Sequence, residues 1–325
     1  MTNLKWAMVG TGFMAELILK DFALADNTAL YALVSRDVEK AKSRLAEFSI
    51  DAKALTFDQA LADSEIDVIY VATPHSEHFP MAKAALNAGK HVLVEKAFTL
   101  NAAEARELAA LAKAKKLFLM EAMWTKFLPA MIALKQIIES GELGVIVGVE
   151  ADFGFSLPYD NDHRLFNFEL GGGTTLDQGV YTTTFVTWMA NSKISKITSV
   201  GQRFANGADS HADTTFIFEN GIIGHGISSL ISTYGGTARV IGSEKSVTVL
   251  GSFWSARELE VITFQREGDP MRDHRAYETK GAGYAHMLGS VSKSILAGEL
   301  ESSVHPLSAA IATMEVLDEI RAQIK

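Results

Sequence analysis

The stretch Leu4 to Phe22, LKWAMVGTGFMAELILKDF, constrains this chain more than any other. It opens with a short apolar run, Trp6-Ala7-Met8-Val9, long enough only for a buried strand. It turns through Gly10-Thr11-Gly12-Phe13-Met14-Ala15 and continues at helical period, with Ala15, Leu17, Ile18, Leu19 and Phe22 apolar. A strand, a glycine turn and a helix, with G-x-G-x-x-A at the junction, form a cradle for a pyrophosphate. Gly10 permits the tight turn, Gly12 lets backbone approach the phosphates, and Ala15 allows close helix–strand packing. The helix N-terminus offers N–H groups to the anion. Gly10, Thr11, Gly12, Phe13 and Met14 are therefore the expected phosphate-side contacts of a dinucleotide.

The same rhythm continues. Strands are predicted at Ala29–Val34, Ala54-Leu55, Ile66–Ala72, His91–Val94 and Leu117–Met120. Helices are predicted at Val38–Phe48, Asp58–Ala62, Pro80–Ala88 and Asn101–Lys115. Alternation of this kind is the signature of a doubly wound parallel sheet, an α/β Rossmann domain, whose ligands sit at the carboxyl ends of its strands. Gly10, Ser35, Thr73 and Glu95-Lys96 all fall there. Past the second strand stand Ser35 and Arg36. An Arg at this place accommodates a ribose 2′-phosphate and an acid binds the 2′-hydroxyl, so NADP is the expected cofactor, with NAD possible through Asp37. The alternative for Ser35-Arg36-Asp37 is a solvated loop with a helix cap. Thr73, Pro74, His75 and His78 read as a loop lining the nicotinamide ribose, or as capping residues. His75 and His78 lack a carboxylate at zinc-type spacing, so no metal is expected.

Composition narrows the class. The 325 residues point to two domains, and 48% apolar with 21% charged residues describes an ordinary globular chain. The 30 Lys and Arg against 39 Asp and Glu give −9, which argues against nucleic acid as a partner. With no cysteine there are no disulfides, no thiol catalysis and no Cys-ligated zinc; a reducing cytoplasm fits. The first strand begins almost at the N-terminus, so no signal peptide is expected. Asn220 to Ala238 carries no Asp, Glu, Lys or Arg, yet its Gly, Ser and Thr read as strands rather than a membrane span.

VGTGFMA, ATPHSEH and VEKA, in this order and spacing, resemble the Gfo/Idh/MocA oxidoreductases. LFLMEAMWTKFLPA at Leu117 to Ala130 is similar to the branch that holds dihydrodiol and sugar dehydrogenases. The resemblance is specific to about Tyr181 and vague afterwards. One departure stands out. The family usually has Glu-Lys-Pro, often with a cis peptide before the proline, where this chain has Glu95-Lys96-Ala97. A non-proline cis bond costs ~3 kcal/mol, so a trans Lys96–Ala97 peptide is expected.

The second half changes character. After a helix from Ala130 to Ser140, extended segments are predicted at Val145–Phe155, Ile194–Val200, Asp213–Phe218, Ile222–Ser228, Thr237–Ile241, Ser246–Leu250 and Leu259–Phe264. Turns are read at Glu219-Asn220-Gly221 and Gly242-Ser243-Glu244. Two helices, Tyr284–Ala297 and Leu307–Gln323, close the chain. This is an α+β domain with a large, mostly antiparallel, open-faced sheet, with the boundary placed between residues 122 and 123. In the resembling family the open face commonly meets another subunit, which implies a homodimer or homotetramer.

Leu170 to Met189 carries three glycines like a signature of that family, then Asp177 and Tyr181. On a helix these two stack ~6 Å apart; on a strand they stand ~13 Å apart. Propensity favours a strand through Val180–Val186, whereas the resemblance implies a helix and one site. It also implies that Tyr181 exchanges the proton of a substrate alcohol while hydride passes to nicotinamide C4. A phenol with a pKa near ~10 needs a cation for that work, and the resemblance supplies Lys96. Asp177 would orient the substrate or Lys96. Trp124, Phe153, Arg164 and Trp254 are the candidate substrate contacts, with aromatic faces suited to a sugar ring or a trans-dihydrodiol. A buried core role for Trp254 and a surface salt bridge for Arg164 are the alternatives. Two other functions remain open: a dinucleotide-sensing regulator without turnover, and a glycosidase-type enzyme that retains its NAD.

Overall fold

The structure, a computed structural model, describes residues 3–325. The opening run folds as β1 (Leu4–Val9), in which Trp6, Ala7 and Met8 are wholly buried. There follow α1 (Phe13–Ile18), β2 (Thr28–Val34), α2 (Val38–Glu47), β3 (Lys53–Leu55), α3 (Phe57–Ala62), β4 (Val68–Val71), α4 (His75–Asn87), β5 (His91–Val94), α5 (Ala102–Lys115) and β6 (Leu119–Glu121). The six strands pair in parallel in the order β3-β2-β1-β4-β5-β6. Strand order reverses between β1 and β4, which opens a crevice at their carboxyl ends. The predicted doubly wound sheet is the observed one.

Two local expectations change. The first helix ends at Ile18 and gives way to a 3₁₀ turn at Asp21–Leu24, so Phe22 lies outside it. Helix α4 starts at His75 and carries Pro80 inside it. Proline marks a helix start when it stands at the first position; here the first turn is held instead by the buried rings of His75 and His78.

The second compact unit comprises Thr125–Thr279 and Thr313–Lys325. It begins with α6 (Pro129–Glu139), β7 (Ile146–Gly154) and α7 (Val180–Ala190). It continues with β8 (Ile194–Arg203), β9 (Asp209–Phe218), β10 (Ile223–Ser229), β11 (Ala238–Gly242), β12 (Lys245–Leu250), β13 (Glu258–Thr263) and β14 (Met271–Ala276). The eight strands run β14-β13-β12-β11-β7-β10-β9-β8, antiparallel except for the β7–β10 pair. Both predicted hairpin turns connect neighbouring strands, β9 to β10 and β11 to β12. Strand β14 has no counterpart in the sequence reading. Its residues MRDHRA show no apolar alternation and are mostly exposed, as suits a charged edge strand.

One face of this sheet is dry: Val149, Phe216, Val240, Val247 and Val261 are buried, and α7 packs on β7 and β10. On the other face Ile223 pairs directly across from Ile217, each about half exposed. Helix α7 forms in spite of its β-branched run because it is buried nearly all round. Tertiary enclosure overrides a weak strand propensity.

The chain then returns to the first unit, which comprises the residues up to Trp124 together with Lys280–Ala312. A single division at residue 122 omits this return. The reason is a set of buried bonds to α8 (Tyr284–Leu296): the Asp21 carboxylate accepts the N–H groups of Ala282, Gly283 and Ala285 at 3.0–3.1 Å. Trp6 Nε1 donates to Ser292 Oγ at 3.1 Å, which also meets Thr28 Oγ1 at 2.8 Å. Helix α9 (Leu307–Gln323) closes the chain.

Candidate active site

In the first unit, Gly10 has φ +126°, and a Cβ there would stand 2.2 Å from the Ala72 carbonyl oxygen. Only glycine serves at this crossing of β1 and β4. Gly12 differs: a Cβ would meet nothing within 4 Å. Helix α1 has no side-chain cap, and Phe13 is 64% exposed. An uncapped helix start beside open space fits a pyrophosphate. Thr11 is buried, Met14 is half-buried, and the Thr11 carbonyl accepts from Arg44 at 3.5 Å.

Past β2, Asp37 Oδ1 accepts the N–H groups of Glu39 at 3.0 Å and Lys40 at 3.3 Å, while the Asp37 N–H donates to Ser35 Oγ at 3.2 Å. Asp37 is thus the cap of α2, and Arg36 is exposed beside it. At the end of β4, Thr73 Oγ1 is buried without a protein partner among the described residues, a polar atom left for a ligand. Pro74 is half-buried next to it.

His78 is fully buried, with Nδ1 2.8 Å from the Ala97 carbonyl and Nε2 2.9 Å from the Thr73 carbonyl. Burial pushes its imidazole below the ordinary value. The neutral ring has one N–H for two carbonyls. It braces the ends of β4 and β5, and His75 packs edge-on against it at 5.4 Å. Among the described residues no cluster of three His, Asp or Glu stands where it would hold a metal.

Glu95 is buried and accepts from the Tyr70 hydroxyl and, at 3.2 Å, from the Lys96 N–H. Burial pushes its carboxyl up to about 7. Lys96 is half-buried. The Lys96–Ala97 peptide is cis, contrary to the expectation from its sequence. Buried side chains hold the peptide that follows, Ala97–Phe98: His78 Nδ1 meets its carbonyl, and Glu121 Oε1 accepts its N–H, that of Phe98, at 2.9 Å. Glu121 Oε2 lies 2.7 Å from His305 Nε2. Trp124 is 4% exposed and stacks on Tyr284, ring centroids 4.3 Å apart.

In the second unit, the three glycines lead into a π turn at Thr175–Gly179 and then α7. Gly173 has φ +126°, and a Cβ there would strike the Asp209 carboxylate. That carboxylate accepts the Thr175 N–H at 2.6 Å and also the Thr175 hydroxyl, fixing the start of the turn. Asp177 and Tyr181 follow, both buried and one turn apart. Asp177 Oδ1 meets Arg164 Nη1 at 3.3 Å. The Tyr181 ring lies 5.8 Å from Phe153, and Phe153 stacks on Trp254 at 3.5 Å. Thr125 Oγ1 donates to the Trp254 carbonyl at 2.8 Å.

The second unit therefore brings together Asp177, Tyr181, Arg164, Phe153 and Trp254. The first brings together the glycine turn, Thr73, His78, Glu95 and Lys96. Tyr70, Glu121, Asp209, Phe253 and His305 complete these clusters, and none carries a sequence signal beyond Glu121 lying in the Leu117–Ala130 stretch.

An uncapped helix start at the crevice of a parallel sheet in one unit, and a buried phenol against an aromatic wall in the other, are the features of an oxidoreductase that works with a nicotinamide dinucleotide. Residues 4–123 match the oxidoreductase family with NAD-binding Rossmann fold, and residues 131–248 match the GFO/IDH/MocA C-terminal domain. The chain belongs to the GFO/IDH/MocA family. It is 31% identical to D-xylose 1-dehydrogenase (NADP(+)) of Hypocrea jecorina, over 99% of this chain and 92% of that one. It is also 31% identical to human trans-1,2-dihydrobenzene-1,2-diol dehydrogenase, over 99% and 97% of the two chains. Aldose-aldose oxidoreductase of Caulobacter crescentus has the same fold, with TM-score 0.88 and 25% identity over 99% of this chain and 97% of that one.

Proposed function

We propose that this protein is an NADP-preferring dehydrogenase or reductase acting on a CH–OH group of a sugar-like or trans-dihydrodiol substrate. The observation that carries this reading is Tyr181 packed beside the Phe153–Trp254 stack and one turn beyond the Arg164-paired Asp177. The stack offers a flat apolar surface to a ring, and the phenol lies at its edge. Tyr181 exchanges the hydroxyl proton, as general base in one direction and general acid in the other. Asp177 and Arg164 orient the substrate's oxygens, with Trp124 as a further candidate contact. Lys96, at the carboxyl end of β5, is the proposed cation of the reaction. When bound, the dinucleotide supplies the carbon that takes or gives the hydride.

For the cofactor, Gly10 to Met14 would hold the pyrophosphate, and Ser35 with Arg36 the adenosine ribose end. Thr73, Pro74, His75, His78 and Glu95 would stand toward the nicotinamide. Preference for NADP is supported by Asp37, whose carboxylate is spent on the cap of α2 while Arg36 is exposed. The relatives of the chain include D-xylose 1-dehydrogenase (NADP(+)) and trans-1,2-dihydrobenzene-1,2-diol dehydrogenase. We read the location as cytoplasmic from the cysteine-free composition. The partly exposed Ile217–Ile223 pair supports a homodimer or homotetramer through the open sheet face.

The test is a fluorescence titration with NADPH and NADH on wild type and Arg36→Ala, followed by a sugar and dihydrodiol panel read at 340 nm. NADPH binding that falls at least tenfold in Arg36→Ala, with NADH unaffected, is the expected result. Tyr181→Phe is expected to lower kcat ~10²- to 10⁴-fold. NADPH and NADH bound equally would overturn the cofactor preference, and an active Tyr181→Phe the catalytic assignment.

A further inference from the structure

We infer that His305 is a positioning residue for Lys96, acting through Glu121 and the Phe98 N–H. This rests on the reading that Lys96 takes part in the reaction. Glu121 is the last residue of β6, at the carboxyl edge of the parallel sheet, and is wholly buried. A buried carboxylate requires partners for both oxygens. Oε1 accepts the Phe98 N–H at 2.9 Å, two residues beyond Lys96, and Oε2 meets His305 Nε2 at 2.7 Å. His305 is itself 1% exposed.

The segment that delivers His305 is tied down independently of Glu121. Ser302 Oγ accepts the N–H groups of Val304 at 3.2 Å and His305 at 3.3 Å. The Leu119 N–H donates to the Leu300 carbonyl at 3.2 Å, and the Leu307 N–H to Glu301 at 2.8 Å. His305 is therefore a fixed donor, and Glu121 transmits its position to the backbone after Lys96. Without it, Oε2 is stranded away from water. The carboxyl must then turn toward another partner, and that change loosens its hold on the Phe98 N–H. His78 would be left as the one side chain holding that peptide, at the Ala97 carbonyl. A misplacement of ~1 Å at a reacting group can lower a rate ~10²-fold.

The variants to compare are His305→Gln, His305→Asn, His305→Leu and Lys96→Met in the full chain, with kcat expressed per NADPH-binding site. The amide of Gln reaches where Nε2 stands, and that of Asn does not. His305→Asn and His305→Leu are expected to lose ~10- to 100-fold in kcat, with substrate KM and NADPH affinity within about threefold of wild type. His305→Gln should recover most of the loss. Adding Lys96→Met to His305→Leu should cost little more than Lys96→Met alone, because both act on one group. If Lys96→Met collapses kcat while the folded His305→Asn or His305→Leu enzyme keeps it, the positioning role is overturned and the lysine's role stands. If Lys96→Met itself retains kcat, the lysine's role falls, and the positioning role with it. Two chemically different losses at one position guard against a single variant that fails to fold, checked by thermal unfolding.

Discussion

Phe153, near the end of β7, and Trp254, in the 3₁₀ turn Phe253–Ser255, lie face to face with ring centroids 3.5 Å apart and planes 9° from parallel. Phe253 meets Phe153 edge-on at 6.5 Å, and Tyr181 approaches it at 5.8 Å. An aromatic pair contributes about 0.5–1.5 kcal/mol beyond its buried area. Trp254→Ala should therefore raise substrate KM ~10-fold while kcat falls less, and Trp254→Phe should stay near wild type. Steady-state kinetics decide it; an unchanged KM in Trp254→Ala would remove the stack from the substrate site.

Gly10 and Gly12 should respond differently to the same methyl group. Gly10→Ala drives a Cβ against the Ala72 carbonyl from a positive φ, so the fold should lose several kcal/mol. Gly12→Ala meets open space, so stability should stay within about 0.5 kcal/mol. NADPH affinity should nonetheless fall at least tenfold, because the methyl occupies the cofactor's approach. Thermal unfolding and NADPH titration on the two variants separate the effects, and tight NADPH binding by Gly12→Ala would place the pyrophosphate elsewhere.

Asp37→Ala should behave as the loss of a helix cap. Two N–H groups of α2 lose their acceptor, at a cost of ~1 kcal/mol. The ratio of NADPH to NADH affinity should not move. Denaturant unfolding measures the first and fluorescence titration the second; a selective loss of NADH binding would return Asp37 to the ribose.

Glu95 should leave a signature in stability against pH. Burial raises its carboxyl to about 7, above its value of 4.5 in the unfolded chain. Between these values the folded protein holds a proton that the unfolded chain has released. Stability from this group is therefore full below pH ~4.5 and declines as pH rises to about 7, by an amount on the order of 3 kcal/mol. Glu95→Gln, which cannot ionise, should flatten that decline relative to wild type. Chemical denaturation from pH 5 to 8 tests it, and parallel wild-type and mutant slopes would show Glu95 ionised throughout.

Much of the first unit is legible from local pattern. The strand–glycine–helix opening, the alternation to Met120 and the ends of β1, β2, β4 and β5 follow from apolar runs bounded by turn residues. Asp177 and Tyr181 are legible as a pair only through resemblance, because Val180–Val186 has strand propensity and becomes a helix through burial on the sheet. Strand β14 escapes notice because an edge strand needs no apolar alternation.

By itself, then, the sequence determined the alternation of strands and helices in the first unit, the crevice at the carboxyl ends of the parallel strands and the glycine turn that faces it. These depend on residues within a few positions of one another. The tertiary structure alone decided that residues 280–312 return to the first unit, that Lys96–Ala97 is cis, that Arg164 pairs with Asp177 and that Glu121 joins Phe98 to His305. Each of the side-chain links turns on a buried polar group finding its partner far along the chain. Such a partner is chosen by the requirement that no charge or N–H be enclosed without one, a condition on three-dimensional neighbours that sequence spacing does not express.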